Sequence, residues 1–491
     1  MQRGIKQSRG SRKMDNNFAP KYAGEAVVIE APPSKSLSHR YMIGASLAWG
    51  DSVVRNTLES ADLEATRGIL CEAGARMKPL HAENSDLITG WQIRGMDGNP
   101  RGGEGKPLNC DVGESGTTCR LLTAVLAAGE GLFRIYGEGR MNERPIGELC
   151  DVLERLGSGI VYQGKKDCPP LLLQAHGLDP ALEDGHARIG MDNSSQYFSG
   201  LLFASPLAKT PICLELAGTK IVSWPYIGLT LKCLADFGIR FQVEIRPRLG
   251  VPWISLKDTT WHKLTDAKPG CFRVRVWPGR YKAGEYVIEG DWSGSSYFLA
   301  AGALGKRPVT VTGLSTDSLQ GDRAIIDILQ KMGARIELKP NAVTVYPSQL
   351  RGVSLDMGMC PDLVPTVAML AAFAQGSTRI SNVAHLRIKE SDRIAAPALE
   401  LGKTGVIVDA LSDGLLINGL GGKPAHVRNR PDKPTLPDDA ELSAHNDHRM
   451  AMSLALLEMQ APELDIRSRL DNANVVRKSF PQFWDLWKLL K

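Results

Sequence analysis

Six times along this chain a short polar cluster rich in Ser, Gly, Thr or Asp gives way to a run of small and apolar residues. The clusters begin near Ser34 (SKSLSHRYMIGASLA), Glu114 (ESGTTCRLLTAVLAA), Asn193 (NSSQYFSGLLFASPLA), Trp292 (WSGSSYFLAAGAL), Pro361 (PDLVPTVAMLAAFA) and Asn446 (NDHRMAMSLALLE). Successive starts are 80, 79, 99, 69 and 85 residues apart. Polar residues ahead of an apolar run mark a capped helix start. Because each run is apolar nearly all round, the predicted helices are buried inside their units instead of lying on a surface. β-rich stretches bracket them, such as Phe133 to Tyr136, Ile212 to Leu216, Val309 to Val311 and Val343 to Tyr346. In most units a second, amphipathic helix stops at a glycine: Glu148 to Leu156 before Gly157, Leu229 to Phe237 before Gly238, Ala324 to Met332 before Gly333, Ala395 to Lys403 before Gly405. The pattern predicts a mixed α and β unit repeated six times.

Two groups of three units predict two domains of similar architecture. Pro32-Pro33 marks one crossing, and the segment Pro247 to Glu289, with its prolines, glycines and interrupted apolar pattern, holds the other. Residues 34–288 then form a middle domain, and residues 1–33 with 289–491 form a discontinuous one. The buried helices would turn their N-termini, and the positive ends of their dipoles, toward a shared cleft. The run Pro32 to Arg40 (PPSKSLSHR) reads as an anion grip at one of those ends: prolines end an extended segment, serines offer hydroxyls, free N–H groups point outward, and Lys35 and Arg40 add charge. Alone it reads first as a capped surface helix with solvated basic residues; its repetition along the chain favours a ligand.

A length of 491 residues exceeds what one core supports, and 43% hydrophobic with 23% charged residues is an ordinary globular balance. No window reaches the roughly 18 apolar residues of a membrane span. Met1 to Lys13 is basic but lacks the apolar core of a secretory signal, so Met1 to Pro20 reads as a mobile tail, short for a transit peptide. Nine cysteines, an odd number without a C-x-x-C pair, argue against a disulfide framework or structural zinc and for a reducing, cytoplasmic home. His445 and His448, three apart, do not make a metal site. The net charge of +5 comes without a Lys/Arg block interleaved with aromatics, so small phosphorylated substrates fit better than nucleic acid.

From about Lys21 to Lys491 the chain resembles the enolpyruvyl transferases, and among them the EPSP synthases (3-phosphoshikimate 1-carboxyvinyltransferases). The resemblance rests on PPSKSLSHR, SGTTCRLL, GRMNERPI, NSSQYFSGLL, VSWPY, VIEGDWSGSSYFLAA, LQGD, PDLVPT, RIKESDRI, NDHRMAM and KSFP, in the family's order. It implies an α/β (α+β) fold of two domains, each of three βαβαββ-type units around buried helices, an inside-out α/β barrel joined by a double crossover that closes on a central cleft. The implied reaction moves the enolpyruvyl group of phosphoenolpyruvate to the 5-hydroxyl of shikimate 3-phosphate by addition and elimination through a tetrahedral ketal. Such chemistry needs acid/base groups and charge clamps, with no cofactor and no metal. The resemblance implies a monomer with two small-molecule substrates, serving chorismate and aromatic amino acid synthesis.

For phosphoenolpyruvate the matching positions are Lys35, Gly116, Arg144, Gln196, Glu390, Arg393, Arg449 and Lys478. For shikimate 3-phosphate they are Lys35, Ser36, Arg40, Ser194, Ser195, Gln196, Ser223, Tyr226, Asp362, His385 and Lys389. Asp362, Glu390, Lys35 and Lys389 are the catalytic candidates. Read alone, Asp362 after Pro361 is a helix-cap residue and Glu390 an i+3 partner of Arg393. Asp447 and Arg449 alone read as a plain helix start, His448 as a packed or capping residue, Glu289 and Asp291 as structure or hinge, and Asp392 as structural. The chain departs from the family pattern at Glu114-Ser115-Gly116-Thr117, where many members have Asn-Ala-Gly-Thr, and at Leu121, frequently Pro; both shape the floor that meets phosphonate mimics such as glyphosate. His385 stands where an Asn is common. Pro247 to Gly284 is long, and Gly421 to Glu441 reads as an enlarged surface loop. The rivals are the sister transferase acting on UDP-N-acetylglucosamine, whose usual loop cysteine would fall near Gly139, RNA 3′-terminal phosphate cyclase, for which no motif matches, and a non-catalytic phosphosugar-binding protein.

Overall fold

The computed structural model describes residues 25–257, 260–265, 267–421 and 441–491. The expected tail Met1 to Pro20 and nearly all of the expected loop Gly421 to Glu441 lie outside the described residues.

The six polar-to-apolar transitions all open helices: α1 (Lys35–Leu47), α2 (Gly116–Ala127), α3 (Gln196–Ala204), α4 (Trp292–Leu304), α5 (Val364–Ala372) and α6 (His448–Leu454). Every residue of α5 and α6 is buried, as runs apolar on all faces require. Amphipathic helices follow at Gly147–Arg155, Pro225–Asp236, Ile325–Lys331 and Ala395–Lys403. A fifth, Ala61–Glu72, was not singled out from the sequence; its acidic first turn carries Asp62 and Glu64.

Four sheets share one pairing scheme. In the sheet Leu108–Asp111, Glu130–Tyr136, Leu171–His176, Gly159–Tyr162, the first pair is parallel and the next two are antiparallel. The scheme recurs around Asp51–Arg55, around Val309–Thr312 and around Ser377–Ser381. The sheet around Ile212–Ile221 repeats it and adds the two-residue edge strand Ile254–Ser255. The sixth unit departs from the expected βαβ pattern. Among the described residues 441–491 hold short helices and a single bridge, Leu442 to Leu470. The cause is legible in Phe480, Phe483 and Trp487: apolar residues at helical spacing pack back on Tyr297 and Phe298 of α4.

The α/β class and two-domain arrangement are those expected, with open sheets outside the buried helices. One core runs from Leu37 to Ile288; the other gathers Val27, Ile29 and Ala31 with residues from Trp292 to Trp487. Each crossing leaves a strand behind before it changes core: Val27–Glu30 pairs with Val309–Thr312, and Glu285–Val287 pairs with Asp51–Arg55. The crossings then run side by side. The Asp291 N–H donates to Pro32 O (2.7 Å), the Ser34 N–H donates to Glu289 O (2.9 Å), and Pro33 bridges Gly290.

Candidate anion-binding active site

The site is assembled from helix starts, where backbone N–H groups have no partner within the helix. At α2 the Ser115 hydroxyl accepts the Thr118 N–H (3.2 Å), and at α4 Asp291 accepts the Gly294 N–H (3.0 Å). At α6 Asp447 accepts the Arg449 N–H (2.9 Å) and takes Nε and Nη2 of Arg393 at 2.7 and 3.0 Å. That fork fixes the Arg393 guanidinium while leaving Nη1 to reach Asp362 at 3.0 Å. Gly116 opens α2 without a Cβ, which would lie 2.3 Å from Arg144 Nη2; only glycine lets that guanidinium lie against the helix start.

One cavity gathers fourteen of the predicted residues: Lys35, Ser36, Gly116, Arg144, Ser194, Ser195, Gln196, Ser223, Tyr226, Asp362, Lys389, Glu390, Arg393 and Arg449. Both cores contribute to its wall. Lys35 pairs with Asp62 at 3.0 Å, and Arg144 reaches Glu390 of the opposite core at 3.3 Å. The Gln196 amide is oriented from both ends, donating to Thr117 Oγ1 (2.8 Å) and accepting from Arg120 Nη1 (3.0 Å). Asp362 collects Arg393 (3.0 Å), Arg449 (2.9 Å) and the Tyr226 hydroxyl (2.9 Å).

These pairings set the protonation states. Burial by itself would push the Asp362 carboxyl up, but Arg449, Arg393 and Lys389 outweigh it and hold it well below the usual range. Glu390 behaves alike: burial opposes ionisation, and Arg144, Arg393 and Lys389 more than restore it. Burial lowers the Lys389 ammonium to about 8, since Asp362 and Glu390 only partly compensate. Asp322, beneath Arg449, is pushed up to about 7 by burial and then by the charge of Asp362. Within the cavity Asp362 and Glu390 are thus ionised among several fixed cations, beside one lysine that can give up a proton near neutrality.

Three predicted residues do not line the cavity. Arg40 is buried beneath it, donating to Thr230 Oγ1 (2.9 Å), Ser36 O (2.8 Å) and Tyr226 O (3.1 Å). His385 is buried, both ring nitrogens without a hydrogen-bond partner among the described residues; burial, Lys389 and Lys220 hold it neutral. Lys478 lies outside the lining, paired with Glu114 and donating to Asn446 O (2.9 Å). Conversely, Asp62, Thr117, Pro361 and His448 line the cavity although they are not among the site residues the sequence implies. The acidic first turn after Ser60 was the available signal for Asp62. His448 reads from the sequence as a packed or capping residue; among the described residues its ring nitrogens make no hydrogen bond, Nδ1 lies 3.9 Å from Asp447 Oδ1, and burial with Lys35, Arg449 and Arg393 holds the imidazole neutral. Asp392 accepts the N–H groups of Ile394 and Ala395 and pairs with Arg387, a structural arrangement. Among the described residues no three His, Cys, Asp or Glu cluster as metal ligands.

Comparison with known proteins points to one family. Residues 24–251 and 265–487 match the model of the family described as EPSP synthase (3-phosphoshikimate 1-carboxyvinyltransferase). The break falls inside the long segment Pro247 to Gly284. The 3-phosphoshikimate 1-carboxyvinyltransferase of Shewanella sediminis is 35% identical over 468 residues, covering 94% of this chain and 96% of the relative. That of Marinomonas sp. is 32% identical over 467 residues, with the same coverage. In fold the chain is similar to the EPSP synthase of Acinetobacter baumannii (TM-score 0.66, 22% identity, 94% of this chain and 95% of the other). It is also similar to the enolpyruvyl transferase NikO of Streptomyces tendae (TM-score 0.65, 18% identity, 95% and 94%).

Proposed function

Since the chain belongs to the EPSP synthase (3-phosphoshikimate 1-carboxyvinyltransferase) family, we propose that its cavity transfers the enolpyruvyl group of phosphoenolpyruvate to the 5-hydroxyl of shikimate 3-phosphate, releasing phosphate. The observation that carries this reading is the convergence of Lys35, Arg144, Lys389, Arg393 and Arg449 on the carboxylates Asp362 and Glu390 within one cavity. Two anionic substrates need several fixed cations, and addition followed by elimination needs groups that take and return protons. A binding protein would need only the cations.

Arg144, Arg393, Arg449, Gly116, Gln196 and Lys478 take the phosphate and carboxylate of phosphoenolpyruvate, with Lys35 between the two substrates. Ser36, Ser194, Ser195, Ser223, Tyr226 and Lys389 take shikimate 3-phosphate. Asp362, ionised and hydrogen-bonded by Tyr226, accepts the proton of the attacking hydroxyl as the new C–O bond forms. The enol carbon gains a proton in the same addition, and Lys389, lowered to about 8, is the group whose acidity suits that donation. In the elimination Glu390 takes a proton from the resulting methyl group, the C–O bond to phosphate breaks, and the arginines stabilise the leaving phosphate. Arg40 supports this by holding the Ser36 and Tyr226 backbone.

The separate cores and paired crossings support residues 34–288 and residues 1–33 with 289–491 as the two bodies that close on substrate. All nine cysteines are free and eight are buried, which suits a reducing cytoplasm. Among the described residues no helix is long and apolar enough to cross a membrane. We take the working unit to be a monomer, because both walls of the cavity come from one chain.

Phosphate release tests the function. It is expected to require phosphoenolpyruvate and shikimate 3-phosphate together, without added metal; release with UDP-N-acetylglucosamine in place of shikimate 3-phosphate would overturn the assignment.

A further inference from the structure

A carboxylate stands beside this anion site, on the residue whose main chain meets Arg144 of its wall. Glu114, two residues ahead of α2, pairs with Lys478 of the opposite core and accepts the Asn446 side-chain N–H at 3.0 Å. Its seat is built. Gly139, at φ +53°, carries no Cβ, and one there would lie 2.8 Å from Glu114 Oε1. Asn446, at φ 52°, turns its main-chain carbonyl to the same lysine, accepting from Lys478 Nζ at 2.9 Å. The Glu114 carbonyl meanwhile accepts from Arg144 Nη1 at 3.3 Å, so the residue touches two of the cations assigned to the substrate.

We propose that Glu114 is an internal counter-anion that competes with the carboxylate or phosphate of phosphoenolpyruvate for Lys478, and so sets the enzyme's affinity for that substrate. The inference rests on the reading above that Lys478 serves phosphoenolpyruvate. In the substrate-free protein Lys478 is neutralised by Glu114. An incoming anion must draw the ammonium away, and it then lies within a few ångströms of a carboxylate left with Asn446 as its remaining partner. Two like charges about 5 Å apart at an effective dielectric near 20 repel enough to weaken binding severalfold after screening. The cost falls on every small anion at that position, so the pair also lowers occupancy by free phosphate. No bond is made or broken; Glu114 is a positioning residue.

The test is Glu114→Gln, which keeps the shape and the acceptor for Asn446 while removing the charge. KM for phosphoenolpyruvate at saturating shikimate 3-phosphate is expected to fall about five- to tenfold, a drop that kcat does not match. Inorganic phosphate, titrated calorimetrically into the substrate-free protein, is expected to bind tighter by a similar factor. In a Lys478→Met background, Glu114→Gln should lower both values by clearly less, because the competition has no object and only the like-charge repulsion remains. An unchanged or raised KM together with unchanged phosphate affinity in Glu114→Gln would overturn the proposal, as would an equal gain in the Lys478→Met background. Should the unaltered protein release no phosphate from the two substrates, the functional reading falls instead, and the phosphate titration still decides the role of Glu114.

Discussion

The main-chain N–H of Lys35 donates to Asp291 Oδ2 at 2.9 Å, while the other oxygen of the same carboxylate accepts the Gly294 N–H at 3.0 Å. One aspartate therefore caps α1 of one core and α4 of the other. It stands where the crossings run side by side, and it sets the start of the helix that carries the lysine between the two substrates. Ser34, the residue at the α1 cap position, makes no cap with its own side chain and donates to Gln320 instead (3.1 Å).

Replacing Asp291 by Ala should remove both caps and leave two helix-start N–H groups unpaired. Stability is expected to drop by about 1–3 kcal/mol in a denaturant titration. Asp291→Asn, which keeps one acceptor, should lose less.

Asp362→Asn should cut turnover by about 10²- to 10⁴-fold in the phosphate-release assay, with the circular dichroism spectrum retained. The same carboxylate ties Arg393 and Arg449 together, so its charge also stabilises the fold. Its folded pKa lies below the unfolded value of about 3.9, so this stabilisation is complete above that value and fades as the pH falls through the folded one. Urea midpoints of the parent and variant should differ at pH 7 and converge under strong acid.

Lys389 drops from an ordinary value of 10.5 to about 8 on folding. The folded protein sheds this proton at lower pH than the unfolded chain, so burial of the ammonium costs stability at neutral pH, and the cost diminishes between pH 8 and 10.5. For binding the sign is reversed: affinity of the substrate-free protein for shikimate 3-phosphate should weaken as pH rises through about 8. Lys389→Arg, charged throughout, should abolish that step in a titration series even if its absolute affinity is lower.

Gly116→Ala should place a methyl group 2.3 Å from Arg144 Nη2 and push the guanidinium off its seat. KM for phosphoenolpyruvate is expected to rise roughly tenfold to a hundredfold, while thermal stability stays close to that of the parent.

How far the chain could be read without coordinates is visible in three residues. Gly116, Asp362 and Arg449 sit at helix starts whose polar-to-apolar switch is a local signal, and all three line the cavity. Arg40 belongs to the same conspicuous motif as Lys35 but lies five residues further along α1, about 7.5 Å deeper by helical rise. Its charge therefore ends beneath the cavity floor, against Ser36 O and Thr230 Oγ1. Asp62 carried only an ordinary helix-start signal; it became part of the site because its helix packs beside α1.

The six buried helices, strands beside most of them, and the inventory of serines, arginines and carboxylates at the helix starts followed from the sequence itself, because capping and apolar patterning act over a few residues. Which carboxylate faces which cation did not. Lys35 with Asp62, Arg144 with Glu390, Lys478 with Glu114 and Asp291 across both cores join residues that are 27 to 364 positions apart. Those distances close only when two cores fold separately and the paired crossings bring their helix ends together. Charge at an anion site is a property of that convergence, since burial and neighbours decide whether a lysine keeps its proton and whether a glutamate aids or opposes the ligand.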